Sequence, residues 1–409
     1  MLKFPEKLFQ QAQKKYLNEI QSEYESESLA LRSRDDFLPE LDHFIETLSL
    51  YTYPERFTQR FSRPIAGFYC VPVPLELLDA FGYHPVRFCR GSASLQKISS
   101  FNLPALSCPL IKSCLGSFYL EGSLEKRAEL LIISHTCDWM VRFPEISSQT
   151  PGRFYTLDLP HIKETERSRK RWQEEIFALK RHLEFLSGKK LSRKKLSASI
   201  LKYTHAWKLF NQLIDLRRNG LISGVWFTLI ANSFMIDDVG RWAGQIELFL
   251  KKYPDGARKQ AGPRVFLSGS PLVFPNLKLA GLIEDAGMYI AADNLCTSEK
   301  LYNALSCDDL SDYGLLKALA ENYQLPCSCP TFSVNETRIE NILALMKYSN
   351  IQGLIHCVLK GCHPFDIESF ILEKRIKESG YRFIKIETDY SREDKEVILT
   401  RLEAFKQTF

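Results

Sequence analysis

Short, continuously apolar runs alternate along this chain with stretches of helical period, and that alternation predicts the architecture. IAGFYC ends at Cys70, PLELLDAFG has helical spacing, and HPVRFC is a second apolar run ending at Cys89. ELLIISHTC carries a third run to Cys137, and RFYTLDLP a fourth, closed by Pro160. Strands apolar at nearly every position are buried on both faces, the condition of a parallel sheet covered by helices. From Gly262 the same order returns: RVFLSG as strand, PNLKLAGLIEDAG as helix, MYIAADN and GLIHCVL as strands, a helix from Pro364, and RFIKIETD before a last helix. The halves correspond in layout, with ELLDAFGYHPVRFC against GLIEDAGMYIAADNLC, ISHTCD against HCVLKGC, and LDLPH against IETDY. An α/β fold made of a duplicated unit with two parallel sheets is expected.

Two further segments frame the halves. Residues 1–60 read as polar helices, with Leu8, Ala12, Tyr16 and Ile20 at helical spacing and Ser/Glu-rich joints from Glu23 to Ser28, an N-terminal helical appendage. Trp172, Ile176, Leu179, Leu183 and Leu186 set an amphipathic rhythm that Leu196, Ile200, Tyr203, Trp207, Phe210 and Ile214 continue after the turn SGKKLS. This central helical hairpin is expected to pack on a sheet and bridge the halves, with its aromatics in the core. The division predicted is a helical segment at 1–60, a first α/β domain at 61–162, hairpin and connector at 163–260, and a second α/β domain at 261–409.

Length supports several domains, since 409 residues exceed what one ordinary core holds. The 54 Lys and Arg against 49 Asp and Glu leave a charge of +5 with no basic tract, so nucleic acid is not an expected partner, while an anionic substrate is allowed. The first residues alternate charge with single apolar positions, unlike a signal peptide, and a cytoplasmic protein is expected. The longest apolar stretch, Leu221 to Ala231, is interrupted by Ser223 and falls short of the ~20 residues that span a bilayer.

Cysteine changes the picture most, because a cytosolic chain has no disulfide use for 11 of them. Cys70 and Cys137 end predicted strands, and Cys296 and Cys362 follow shortly after others. Cys108 in LSCPLIKSC, and Cys327 and Cys329 in PCSCP, lie in Pro-interrupted loops on the same connections. Ligands of open parallel sheets bind beyond the carboxyl ends of the strands, so two facing domains can pool thiolates distant in sequence. Thiolate, anionic and polarisable, suits soft metals and iron–sulfur clusters. The CxxC pairs of zinc ribbons and ferredoxins are missing, and structural zinc is the lesser reading. Cys89 and Cys114 read as structural. LSGSP lacks both the Gly-Lys-Ser/Thr of a nucleotide loop and a GxGxxG pattern, which disfavours ATP and NAD. His135 and His161 flank strand ends but read first as structural, and Asp138 and Asp389 as helix caps. No general base is assigned.

HTCD, YTLDLPH, the Leu-rich hairpin, GSPLVFPNLKLAGLIEDAG, PCSCP followed by NETRIENI, VLKGCHPFDIE, IETDYSRED and TRLEAF resemble, in order, motifs of the 2-hydroxyacyl-CoA dehydratase family. CPLIKS, IETDYS and TRLEAF are most similar to its double-cubane cluster branch. The resemblance implies two flavodoxin-like (Rossmann-like) domains and an iron–sulfur cluster. A single [4Fe–4S] cluster falls by motif on Cys70, Cys137 and Cys362; a double-cubane [8Fe–9S] cluster adds Cys108, Cys296 and one of the PCSCP pair, here Cys329 over Cys327. It also implies a separate ATP-hydrolysing [4Fe–4S] activator that supplies low-potential electrons, a small-molecule or acyl-CoA substrate for reduction or radical dehydration, and a homodimer or a heterodimer with a paralogue. The chain departs from the family at CTSEK, where Gly and Thr-Arg are usual, and at TFSVN. Ser268, Gly269 and Ser270 are candidate donors to the cluster sulfurs. The alternative is a non-catalytic subunit that bears a cluster to relay electrons or docks a partner.

Overall fold

The continuous apolar runs become strands in the computed structural model, which describes residues 6–100, 103–147, 153–253, 260–301, 305, 307–325 and 328–409. The first four are β1 (Ile65–Tyr69), β2 (His84–Arg87), β3 (Leu130–Ser134) and β4 (Phe154–Leu157), paired in the order β2-β1-β3-β4. The second four are β5 (Arg264–Gly269), β6 (Tyr289–Asp293), β7 (Gly353–Leu359) and β8 (Arg382–Thr388), in the order β6-β5-β7-β8. Every pairing is parallel. The two sheets therefore repeat one flavodoxin-like winding, in which the chain steps outward once and returns to the other side of its first strand. That reversal opens a crevice at the carboxyl ends, between β1 and β3 in one sheet and between β5 and β7 in the other.

Burial explains the apolar runs. Strands β1, β3, β6 and β7 are buried at every residue, whereas the outer edges β4 and β8 are partly exposed. Strand β2 is also an edge yet fully buried, because the chain near Met235 covers it, with Arg87 N–H donating to Met235 O at 2.8 Å. Covering an edge in this way removes an open row of hydrogen-bonding groups. One continuous apolar core joins the halves, and a smaller cluster, including Phe266, Ile342, Met346, Leu354 and Leu372, packs helices Glu336–Tyr348 and His363–Glu378 on the second sheet. The halves touch closely at Gly91, whose N–H donates to Phe274 O; a Cβ there would lie 1.9 Å from Val273 O, so only glycine fits.

The N-terminal segment differs from the expected jointed appendage. Glu6–Arg32 is a single helix that continues through Glu23 to Ser28. Tyr24 and Ser28 are buried, and the Glu23 carboxylate accepts from Ser92 Oγ at 2.6 Å and Ala93 N–H at 2.9 Å, at the start of helix Ala93–Ser99. Polar residues that read as a break are thus tertiary contacts. Ion pairs Arg34–Glu284 (2.7 Å) and Glu27–Arg392 (2.9 Å) tie this region to the second half, so it acts as a strap. The side chains of Leu8 and Ala12 lie outside the described residues.

The central helices do bridge the halves, but they splay rather than pair. Glu166–Ser187 lies on Asp312–Gln324, with Trp172 Nε1 donating to Ala320 O, while Arg193–Arg218 lies on Leu75–Ala80, Val239–Lys252 and β6. Each apolar stripe is satisfied by a different neighbour. The run from Leu221 falls in the wholly buried helix Gly224–Ser233, and no helix among the described residues is long and apolar enough to cross a membrane.

Candidate functional site

Six thiols from both halves line one cavity of about 110 Å³: Cys70, Cys108, Cys137, Cys296, Cys329 and Cys362. These are the six positions expected from the sequence. Cys327 lies outside the described residues.

Each thiol is delivered by a recognisable local device. Cys70 leaves β1 with φ 65°, a left-handed conformation that costs a non-glycine residue about 1–3 kcal/mol and is typically held at functional sites. Its Sγ lies 3.1 Å from Thr136 Oγ1. Cys108, Cys137 and Cys362 occupy the N-cap positions of helices Pro109–Tyr119, Asp138–Ile146 and His363–Glu378. Pro109 and Pro364 sit in the first turns, where a missing N–H is harmless. Backbone N–H groups of Leu110 and Ile111, of Trp139 and Met140, and of Phe365 face the three sulfurs in turn. Three helix N-termini thus bring unpaired donors and positive dipole ends to one cavity, a setting that favours anions.

Cys296 follows β6 on a segment anchored by Asp293. That carboxylate accepts from Leu295 N–H (2.9 Å), Ser298 Oγ (2.6 Å), Glu299 N–H (3.2 Å) and Arg217 Nη1 (2.5 Å). Arg217 reaches it from the central helix Arg193–Arg218, which carries this positioning role besides its apolar one. From the first half, Arg87 donates through Nη1 to Cys296 O at 2.6 Å, and its Nη2 lies 3.2 Å from Cys296 Sγ. Cys329 sits on a loop stitched to both halves: Thr331 Oγ1 donates to Thr136 O, Ser333 N–H to His161 O, and Asn335 Nδ2 to both Cys329 O and Glu368 Oε1.

Trp139, Met140, Leu159, Pro271 and Phe365 complete an apolar wall with few polar atoms. Burial accordingly raises the thiols of Cys70 and Cys137, the latter to about 11. Cys108 and Cys362 share a hydrogen bond, which raises Cys108 and, with the Ser270 hydroxyl, lowers Cys362. Thiols protonated in a dry cavity become thiolates when a metal replaces the protons. Among the described residues no three His, Cys, Asp or Glu converge as a single ion requires. The sulfurs instead surround a space several times the roughly 10–15 Å³ that one water needs. This donor set fits a polynuclear thiolate-bound group better than a lone tetrahedral ion.

The remaining candidates lie elsewhere. Cys89 and Cys114 are buried, hydrogen-bonded to each other and absent from the cavity wall, with Cys89 also bonded to Arg87 and the Cys70 backbone; Cys357 lies within β7, and Cys307 donates to Asp309 O. His161 Nδ1 is engaged by Thr331, and neither His161 nor His135 lines the cavity. Asp138 is the first residue of its helix, with Cys137 at the cap; Asp389 binds Lys360 and Ser391 N–H in a turn before helix Lys395–Lys406. Both differ from the capping role expected of them. Arg87, Lys300, His363 and Thr136 line the cavity without having been singled out; His363 and Thr136 directly flank Cys362 and Cys137, a proximity visible in the chain.

A family model described as 2-hydroxyglutaryl-CoA dehydratase, D-component, matches residues 70–408. The chain is 25% identical over 359 residues to the putative dehydratase subunit YjiM of Escherichia coli (strain K12), covering 84% of this chain and 90% of that protein. It is 24% identical over 355 residues to the beta subunit of (R)-2-hydroxyglutaryl-CoA dehydratase of Acidaminococcus fermentans, covering 83% and 91%. A benzoyl-CoA reductase subunit of Thauera aromatica is 23% identical over 349 residues, covering 79% and 85%.

Proposed function

This chain belongs to the 2-hydroxyglutaryl-CoA dehydratase D-component family, and on that premise we propose that it is an iron–sulfur enzyme whose six-cysteine cavity holds a double-cubane cluster. Its substrate is a 2-hydroxyacyl-CoA or another small molecule that is dehydrated or reduced. The observation that most supports this is the convergence of six thiols from two halves on one apolar cavity. Relatives named as dehydratase and reductase subunits support the same reaction classes. When bound, such a cluster supplies stored low-potential electrons and an iron that polarises an oxygen ligand.

The chain's own residues then have distinct tasks. Cys70, Cys137 and Cys362 would hold a single cubane, and Cys108, Cys296 and Cys329 would complete the ligand set of a double one. The three helix N-termini and the Ser270 hydroxyl offset negative charge on sulfur. Trp139, Leu159 and Phe365 exclude water. Electrons come from a separate ATP-hydrolysing iron–sulfur activator, and the working unit pairs this chain with a second copy or a paralogue. The compartment is the cytoplasm, where thiols stay reduced.

The test is turnover of anaerobically purified protein with such an activator, ATP and a 2-hydroxyacyl-CoA or a reducible small molecule. ATP-dependent product formation is expected. A cluster-loaded protein that accepts electrons but never turns over would make it a relay subunit instead.

A further inference from the structure

Arg87 is the exception among the buried arginines. Arg90 pairs with Glu125 at 2.8 Å, Arg217 with Asp293 at 2.5 Å, and Arg338 with Glu368 at 2.7 Å. Arg87 is 1% exposed, yet among the described residues no carboxylate lies within 4.0 Å of its guanidinium. Its contacts are Cys296 O at 2.6 Å, Cys296 Sγ at 3.2 Å and Met235 Sδ at 3.5 Å, with a further hydrogen bond to the buried Cys89 thiol, and Nε has no hydrogen-bond partner. The groups acting on its charge are chiefly the sulfurs of Cys296, Cys89 and Cys70. Lys300, the other cation on the wall, is half-buried with no hydrogen-bond partner at Nζ; it acts through its charge on the Glu368 carboxyl, which Arg338 holds at 2.7 Å, and it touches no ligand sulfur among the described contacts. A buried cation without an anion is strongly unfavourable, and it becomes favourable only when the neighbouring sulfurs are anionic.

We propose that Arg87 is a positioning residue and the built-in counter-charge of the cavity: it orients Cys296 across the two halves and raises the reduction potential of the group that the cysteines hold. The inference rests on the cluster reading above. One-electron reduction adds one negative charge to a dry space. A fixed guanidinium at hydrogen-bond distance from a ligand sulfur stabilises that charge more than it stabilises the oxidised form. Its fork also supplies two donors in fixed geometry, one for the carbonyl and one for the sulfur of the same residue.

Redox titration of the loaded protein, with iron and sulfide counted in each sample, compares wild type, Arg87→Gln and Arg87→Lys. Arg87→Gln is expected to keep its iron while its reduced-to-oxidised ratio at a fixed poise falls at least about tenfold, which for one electron is about 59 mV. Arg87→Lys, which keeps the charge, should move less than half as far on the logarithmic scale. Wild-type iron with an unmoved midpoint in Arg87→Gln, or equal shifts in both variants, overturns the proposal. If Arg87→Gln takes up no iron, Arg87→Lys decides: wild-type loading with a midpoint near wild type supports the role of charge, and failure to load or a full shift overturns it. A wild-type protein that holds no iron under anaerobic handling fails the cluster reading itself, and this inference with it. Loaded protein with an indifferent Arg87 fails only this one.

Discussion

After β1 the first half turns Cys70 into the cavity through left-handed backbone, whereas after β5 the second half turns at Gly269, with φ 114°, and offers the Ser270 hydroxyl. After β2 and β6 the roles reverse. Cys89 does not line the cavity and bonds Cys114, Arg87 and the Cys70 backbone, while Cys296, its counterpart in the layout of the halves, lines it. Only the ends of β3 and β7 behave alike, each finishing in a cysteine that caps a helix, Cys137 and Cys362. The two halves thus share a winding and one thiol position, after β3 and β7, and differ in which of the other strand ends supplies a thiol. A duplicated scaffold sets where a ligand can bind; individual side chains after each strand decide which half supplies it.

The comparison breaks most visibly at the shared position. Cys137→Ala and Cys362→Ala are expected to lose nearly all iron and visible absorption, each by a similar amount, while Cys296→Ala and Cys329→Ala leave about half, one cubane of two. Iron and sulfide assays with absorption spectra check this; a Cys362 variant that keeps full iron would break the equivalence.

A second contrast concerns two buried histidines, one in each half. His84 in β2 and His356 in β7 each bond a backbone carbonyl through Nε2, to Ile236 O and Phe365 O, and burial lowers both to about 4 from 6.5. Between those values the unfolded chain binds more protons than the folded one, so stability falls as pH drops from about 6.5 toward 4 and is unaffected by these groups above it. On the order of 1–3 kcal/mol is lost per histidine. Unfolding melts across that range should show the slope, and His84→Leu and His356→Leu should each remove a similar share of it. A flat acid limb in wild type would contradict the expectation.

The smallest effect is reserved for Cys89. Cys89→Ala should keep iron at the wild-type level and cost about 1 kcal/mol of stability, the loss of a small buried side chain. Iron loss matching that of Cys296→Ala would place Cys89 in the site after all.

Much of this arrangement is legible in the chain. Eight strands of the described residues stand where the apolar runs are, six of them because burial on both faces demands such runs and β4 and β8 as partly exposed edges, and the six thiols lie beyond strand ends, where parallel sheets bind ligands. Less legible are features that depend on distant partners. Glu23 and Ser28 read as a joint, but both stand inside one helix, where Glu23 accepts from Ser92 of another element and Ser28 donates to Tyr24 O. The hairpin rhythm is correct for each helix and silent about which neighbour each stripe meets. Arg87 looks like an ordinary strand-end arginine until Cys296, 209 positions away, is seen beside it.

The most direct test of the central claim is the iron and acid-labile sulfide content, with visible absorption, of protein purified without oxygen. About eight irons per chain, with the charge-transfer absorption of a thiolate-bound cluster, is the result expected of two cubanes. Protein that carries no iron under strictly anaerobic handling would contradict the account and leave the six cysteines as buried thiols around a cavity.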